Sequence, residues 1–318
     1  MSTPLAAPDR APADGRATGR TGGKATDPLA TARRLVPPGL LLALPFLVLF
    51  ALFMVWPLIH GAWMSLTDTS LSAHEPSFVG LDNYAEALGD ADMWQAVGNT
   101  VWFTAVSTVP LVAVALAMAL LVHTGLPGQW VWRLAFFAPY LLPVGVIGLL
   151  WGWLYQPDLG LYNHLLQATG LDGFAWLSDK DVALYAIVIA TLWWTVGFNF
   201  LLFLAALQAV PDHLYEAAAL DGAGAWRRLW HVTLPQLRRI TGVVTVLQIL
   251  ASLKVFDQVY LLTKGGPDGA TRPVVEYLYD VGFTGYRLGY ASAISYVFFA
   301  LVVLVSAVQF AAFRRREK

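Results

Sequence analysis

Two groups of residues in this 318-residue chain combine types and spacings that could do chemistry. The first is the segment Val210–Pro235, in which Glu216-Ala217-Ala218 is followed after three residues by Gly222, and after nine more by Val232-Thr233-Leu234-Pro235. Leu214, Ala217 and Ala218, spaced by three and four, share one helix face that is small and apolar, so another surface could approach it closely. The second group lies inside long apolar stretches: Trp193, Trp194 and Asn199 in one, and Gln248, Lys254, Asp257 and Tyr260 in the next. Ionisable groups within a membrane span are functional candidates by default. A plainer reading stands beside each: Lys254 and Asp257, three apart, can pair with each other near the outer boundary, and Trp193 and Trp194 serve equally as packing or interface anchors.

Elsewhere the patterns of catalysis fail. The chain has no cysteine, which removes disulfides, thiolate chemistry and cysteine metal sites. Its six histidines show no metal spacing such as His-Glu-x-x-His. Gly22-Gly23-Lys24-Ala25 falls short of a phosphate-binding loop, since Thr18 stands where the leading glycine belongs and Ala25 has no hydroxyl for a magnesium ion. Tyr279-Asp280 lies in an outer loop with no matching aspartate in a span, so an aspartyl intramembrane protease is disfavoured. No catalytic residue and no metal ligand is expected, and a net charge of −1 supplies no basic field for nucleic acid.

The elements that must position the two groups follow from composition. Hydrophobic residues make up 57% of the chain and charged ones 13%, about half the share of an ordinary soluble domain. Charge-free runs between Arg34 and Asp68, Asp92 and Arg133, Arg133 and Asp158, Asp181 and Asp212, and Arg287 and Arg314 each hold the roughly 20 residues that cross a bilayer as a helix. In the second run the apolar density peaks from about Val101 to Val122, so one helix is expected there. A sixth span is expected from Ile240 through Leu262, with Lys254 and Asp257 in its outer part. No alternating strand pattern appears, so the predicted fold is all-α and polytopic, with six transmembrane helices.

Lysine and arginine counts orient the chain. With the amino terminus cytoplasmic, the inner segments hold fifteen and the outer loops four, which places both termini inside. The segment 1–34, rich in Ala, Pro, Gly, Thr and Arg, reads as a disordered cytoplasmic tail. The apolar run from Leu35 past Pro57 is too long for a cleavable signal and is expected to stay as an anchor. The 211–235 loop then lies inside, as two short helices with a hinge. Asp212 is expected to cap the first, Gly222 to stop it, and the second to run from about Ala225 to Thr233, with Pro235 marking its end or a kink. An amphipathic connector resting on the headgroups is the plainer reading of this loop.

The spelling of the loop resembles the EAA loop of binding-protein-dependent ABC importer permeases, Glu-Ala-Ala, three residues, Gly, nine residues, Ile-x-Leu-Pro, with Val232 in place of isoleucine as the one departure. Phe78-Val-Gly-Leu-Asp-Asn-Tyr84, Tyr155-Gln-Pro-Asp-Leu-Gly-Leu-Tyr-Asn163 and Phe256-Asp-Gln-Val-Tyr-Leu-Leu-Thr-Lys-Gly-Gly-Pro267 resemble phrases of the sugar-transporting branch, the maltose and glycerol-phosphate permease group. The resemblance covers about residues 35–313. It implies the fold of a type I ABC importer transmembrane domain over 96–313, preceded by an extra helix and outer loop over 35–95 and followed by a basic tail over 314–318.

It also implies the partners and roles. The chain would be half of a translocation pathway, completed by a second permease subunit, usually an unlike chain. The EAA loop would dock as a coupling helix on a separate ATPase dimer, which uses the ATP and magnesium, so that this chain binds no cofactor itself. Glu216 would make the polar contact, Ala217 and Ala218 the close packing, Gly222 the turn, and Pro235 would end the motif. Trp193, Trp194, Asn199, Gln248, Lys254, Asp257 and Tyr260 would supply aromatic faces and amide or carboxylate groups to a neutral, hydroxyl-rich sugar. Asp82, Asp158 and Asp268 would face an extracytoplasmic solute-binding protein, or be solvated loop charges. The competing readings are a self-contained secondary transporter, which would show inverted repeats and matching Gly/Pro interruptions, an ABC permease for a non-sugar solute, and a membrane-embedded enzyme.

Overall fold

The computed structural model describes residues 38–72 and 75–316, so the expected 1–34 tail lies outside the described residues. Among those residues the protein is all-α: fourteen α-helices, and in place of any sheet one isolated bridge between Thr67 and Phe78. The chain divides into two compact units, with the boundary between Pro57 and Leu58.

In the first unit, α1 (Pro38–Phe50) passes through a π-helical turn, Ala51–Val55, into the first two residues of α2 (Trp56–Met64), the rest of which belongs to the second unit. Leu42–Met64 is long and apolar enough to cross a bilayer, and none of it is buried within the chain.

The second unit holds the remaining elements. After α3 (Asp82–Gly89) comes α4 (Ala91–His123), 33 residues long and so about 50 Å. It starts ten residues before the expected apolar peak because Asp90 caps it, its carboxylate accepting from the amides of Asp92 at 2.9 Å and Met93 at 3.3 Å. The expected third span is broken. α5 (Gln129–Phe137), extended by a 3₁₀ turn over Ala138–Leu141, meets α6 (Val144–Leu154) at 96°. Pro143 explains the break: it has no amide to continue the ladder, and it holds Leu142 extended at ψ 137°. The freed Leu142 carbonyl accepts from the Trp194 indole at 3.3 Å.

Then follow α7 (Leu161–Ala168), α8 (Ala183–Gln208), α9 (Asp212–Leu220), α10 (Ala225–Arg228), a π-helical turn over Leu229–Thr233, α11 (Leu234–Leu253), α12 (Asp257–Leu262), α13 (Val274–Tyr279), a π-helical turn over Asp280–Thr284, and α14 (Leu288–Arg316). Among the described residues four helices are long and apolar enough to span a membrane, and five spans result if the bent pair α5–α6 counts as one. The span expected from Ile240 through Leu262 is not continuous. α11 ends at Leu253, Lys254 caps it, and α12 starts at Asp257. The 20 residues of α11 reach about 30 Å, the thickness of a bilayer core, but Arg238 and Arg239 in its second turn keep it out of the apolar set.

The core forms where α4, α8 and α11 meet. Leu111, Ala115, Ala119 and Val122 of α4 pack on Val196, Phe200, Phe203, Leu204 and Leu207 of α8, with Leu237 and Val244 of α11 closing the cluster. In lipid there is no hydrophobic force between helices, so close approach at small residues such as Ala115 and Ala119 carries the association. Gly197 serves the same purpose against α5: a Cβ there would lie 2.9 Å from Phe137 Cα.

Candidate functional site

The Val210–Pro235 loop connects α8 to α11. Pro211, extended at ψ 132°, takes the cap position of α9, and Asp212 is the first helical residue, making no side-chain cap bond. The expected Asp212 cap is therefore corrected: its carboxylate favours the helix start through the dipole alone. The other end follows expectation. The Gly222 amide donates to Ala219 O at 3.0 Å and the Ala223 amide to Ala218 O at 2.9 Å, the Schellman pair that closes a helix when the next residue is left-handed. Gly222 is that residue, at φ +73°.

Beyond the hinge, the second helix does not stop at Pro235. The chain stays helical from Ala225 to Leu253, and the π-helical turn just before Pro235 is what permits it. There Leu234 N–H bonds five residues back, to Leu229 O. This widened turn breaks the regular ladder where the proline has no amide to give. The Tyr215 and Thr233 hydroxyls, 3.2 Å apart, tie α9 to that turn.

What the loop presents outward is an exposed helix. Glu216 and Ala217 are exposed and Ala218 half-buried, while Leu220 beside them is 91% exposed. Trp226 and Trp230, also exposed, meet edge to face at 5.7 Å. An exposed apolar tip flanked by alanines and a carboxylate has the make-up of a contact surface.

The second group separates into buried and exposed members. Asn199 and Gln248 are buried and bonded to each other: Asn199 Nδ2 donates to Gln248 Oε1 at 2.7 Å, Gln248 Nε2 donates to Ser252 Oγ at 3.0 Å, and Ser252 lies 3.1 Å from Ser107 Oγ. This polar chain stitches α8 to α11 and α11 to α4, as interhelical amides and hydroxyls do in lipid. Trp193 is exposed and touches the Trp151 ring at 5.8 Å, whereas Trp194 is spent on the Leu142 carbonyl. Lys254 and Asp257 flank the break between α11 and α12, both exposed, and among the described residues they form no ion pair with each other. Tyr260 stacks on Phe256 at 5.4 Å and meets Tyr279 edge-on at 5.5 Å.

The three sequence phrases turn out to be braces. Asn83 is buried and donates to the carbonyls of Ser65 at 3.0 Å and Thr67 at 2.8 Å. Asn163, also buried, donates to the Pro157 and Phe174 carbonyls and accepts from the Phe174 amide and the Trp176 indole. Thr263 and Thr271 meet at 2.8 Å across the loop that contains Gly265 and Gly266. Asp82, Asp158 and Asp268 are exposed.

Sequence reasoning missed a cluster at the far end of α11 from the Val210–Pro235 loop. Asp90 accepts from the hydroxyls of Tyr277 and, at 2.5 Å, Tyr290. Burial alone would raise the Asp90 carboxyl, but these bonds and the two backbone amides outweigh it, so it titrates below the ordinary aspartate value. Arg287 pairs with both Glu86 oxygens at 2.7 and 2.6 Å. Glu276, on α13, is 1% exposed. The available signal was a lone acid in an apolar run, Val274-Val275-Glu276-Tyr277-Leu278-Tyr279.

Comparison with known proteins agrees with this architecture. The family model described as binding-protein-dependent transport system inner membrane component matches residues 99–318. The trehalose/maltose transport system permease protein MalF of Thermococcus litoralis is 37% identical over 83% of this chain and 90% of its own length. The sulfoquinovosyl glycerol transport system permease protein SmoG of Agrobacterium fabrum is 33% identical over 87% and 90%. Among solved structures, a chain from a bacterial ABC transporter involved in the import of the acidic polysaccharide alginate superposes with a TM-score of 0.78 at 22% identity, over 91% of this chain and 99% of that one. Apolar spans, the exposed Glu-Ala-Ala helix between α8 and α11, and this match over most of the length lead to one conclusion: the chain is a multi-pass membrane protein of the binding-protein-dependent transport system inner membrane component family.

Proposed function

We propose that this chain is the permease subunit of an ATP-binding-cassette importer for a carbohydrate, and that α9 is the helix by which a separate ATPase drives it. The observation that carries the reading is the loop itself: a Schellman-closed helix displaying Glu216, Ala217 and a 91% exposed Leu220, on a stalk that runs unbroken into α11. Rigid-body displacement of α9 would be transmitted through the Tyr215–Thr233 contact and the π-helical turn to α11, and through Gln248 to α8 and α4. That is a two-state motion biased by ligand. A carbohydrate is favoured because the two relatives above are named for trehalose/maltose and for sulfoquinovosyl glycerol.

In this reading a second permease completes the pathway, an ATPase dimer supplies ATP and magnesium chemistry, and a solute-binding protein meets the outer loops. The chain itself performs no catalysis and holds no cofactor. The transport domain spans 96–313, α11 serves as the sixth span despite its arginines, and both termini are cytoplasmic. Trp193, Trp194, Lys254, Asp257 and Tyr260 line the route taken by the sugar, while Asn199 and Gln248 reach it when the α8–α11 contact opens.

Reconstitution tests this. Liposomes holding the chain with its second permease and ATPase should take up a sugar when binding protein and ATP are supplied, and the chain alone should transport nothing. Ion-driven uptake by the chain alone, or labelling of Ala217 from the exterior, would overturn the assignment.

A further inference from the structure

The segment from Lys264 to Arg287 is fastened to the start of α4 by several independent bonds. Asn99 Nδ2 donates to the carbonyls of Gly269 and Arg272 at 2.8 and 3.0 Å, Thr100 Oγ1 accepts from the Val274 amide at 3.0 Å, and Asp90 receives Tyr277 and Tyr290. Within this clamp Glu276 is out of place. It is 1% exposed, and its Oε2 has no hydrogen-bond partner. The Nε of Arg272, four residues earlier, is buried and equally without one. Arg272 lies over the Tyr277 ring at 4.9 Å and reaches Asp92 of α4 at 3.7 Å, so its charge is directed to the solvent side of the clamp.

The other groups around Glu276 do not compensate for its burial. One turn on, Asp280 carries the same sign. On α4, Asp92 is drawn to Arg272 and Asp90 is occupied by the two tyrosines. On the α14 side, Tyr290 is one of those tyrosines, and Arg287, just before the helix, is held by Glu86 of α3. A buried carboxylate with an empty acceptor, and with no cation bonded to it, is more stable in its neutral form.

We propose that Glu276 is a proton-operated latch: protonated, it sits in the α4–α13–α14 contact and the 264–287 segment stays closed on α4; ionised, it drives that segment to open. The latch does not depend on the transport reading. Opening would disturb the aromatic wall as well, since α13 carries Tyr279, whose ring contacts Phe256 at 5.7 Å and Tyr260 at 5.5 Å.

The sense of the pH dependence follows from linkage. Burial, reinforced by Asp280 and opposed by Arg272, pushes the closed-state carboxyl from an ordinary 4.5 up to about 7. Between those values the open segment binds fewer protons than the closed one, so opening becomes more favourable as pH rises, by up to tenfold per unit, and levels off above about 7.

Hydrogen exchange on the full chain in lipid nanodiscs, from pH 5 to 8 and divided by intrinsic amide rates, reads this directly. Peptides covering 274–287 should show opening that climbs by up to about tenfold per pH unit to near 7 and then flattens, while peptides from 155–182 stay level. Glu276→Gln should remove the slope, and Asp280→Asn should bring the plateau to lower pH. A level wild-type profile, a slope surviving in Glu276→Gln, or an unmoved plateau in Asp280→Asn would each overturn the latch. If Glu276→Gln does not fold, the wild-type slope and the Asp280→Asn plateau decide the matter.

Discussion

Replacing Gly222 with residues of graded backbone tolerance should weaken the coupling loop through conformation and not through crowding. Gly222 sits at φ +73°, and a Cβ built there meets nothing within 4 Å. The cost of a side chain is therefore that of forcing an L-residue into the left-handed region, about 1–2 kcal/mol. That lowers the population of the closed Schellman end by about 5- to 30-fold relative to its alternatives. Asparagine, which visits this region, should cost least, alanine about 1 kcal/mol, and valine, whose branched Cβ makes such a φ a genuine outlier, the most. Because the chain has no native cysteine, a nitroxide on Leu220→Cys reports the order of the helix tip. Its mobility should rise from Gly to Asn to Ala to Val. Sugar-stimulated ATP hydrolysis by the assembled transporter should fall in the same order, with membrane insertion unchanged. Equal damage from Asn and Val would show that space and not φ is limiting. A valine variant that copurifies the ATPase at normal yield and keeps stimulated hydrolysis would refute the assignment of Gly222 to coupling.

Three further outcomes are expected. Asn199→Leu leaves Gln248 Oε1 buried without its donor, and Gln248→Leu leaves the Asn199 amide buried without its acceptor, so each should destabilise the chain in detergent, and a double-mutant cycle should return a coupling of about 0.6–1.7 kcal/mol; a coupling of zero would mean that the 2.7 Å contact adds nothing. Gly197→Ala should lower the melting temperature by overpacking, at about 1–3 kcal/mol, because the α5 backbone and not a yielding side chain occupies the space; a neutral result would show that α5 is free to withdraw. Asp90→Asn should cost about 1–3 kcal/mol at neutral pH through the two tyrosine bonds, which lose their charged acceptor, while the cap itself, which asparagine also makes, is retained. Since the folded-state value of Asp90 is depressed, its contribution is complete above about pH 4 and should disappear as the pH falls further, toward that lower value. An acid-unfolding curve unchanged by the substitution would contradict this.

The Val210–Pro235 loop was legible because its chemistry is local. Glu-Ala-Ala, Gly222 and the spacing to Pro235 are all set within one turn-and-helix segment, and the left-handed Gly222 is what a helix end at that point demands. Between an end and a kink at Pro235 the residues could not decide, for the opposite reason: whether a proline ends a helix depends on whether the preceding turn can widen, and a π-helical turn is invisible in residue types. The course of two spans departs from expectation where apolarity and geometry part. Arg133 to Asp158 has the composition of one span, but Pro143 bends it by 96° against α8. The run through Lys254 has nearly the right length, yet stops at Leu253.

The family phrases show the division most clearly. Their residues could be read as markers of a branch, but nothing in their order says that Asn83 and Asn163 are hydrogen-bonding hubs facing inward, with the nearby aspartates left to solvent. Nor could order along the chain reveal that Asn199 and Gln248, 49 residues apart, satisfy one another, or that Glu276 has no such partner. Membrane class, helical content and the coupling motif are functions of composition and short spacing, and these a linear reading captures. Burial and pairing are set by which helices meet, and a polar group's role, whether brace, pathway contact or latch, follows from those contacts across the fold.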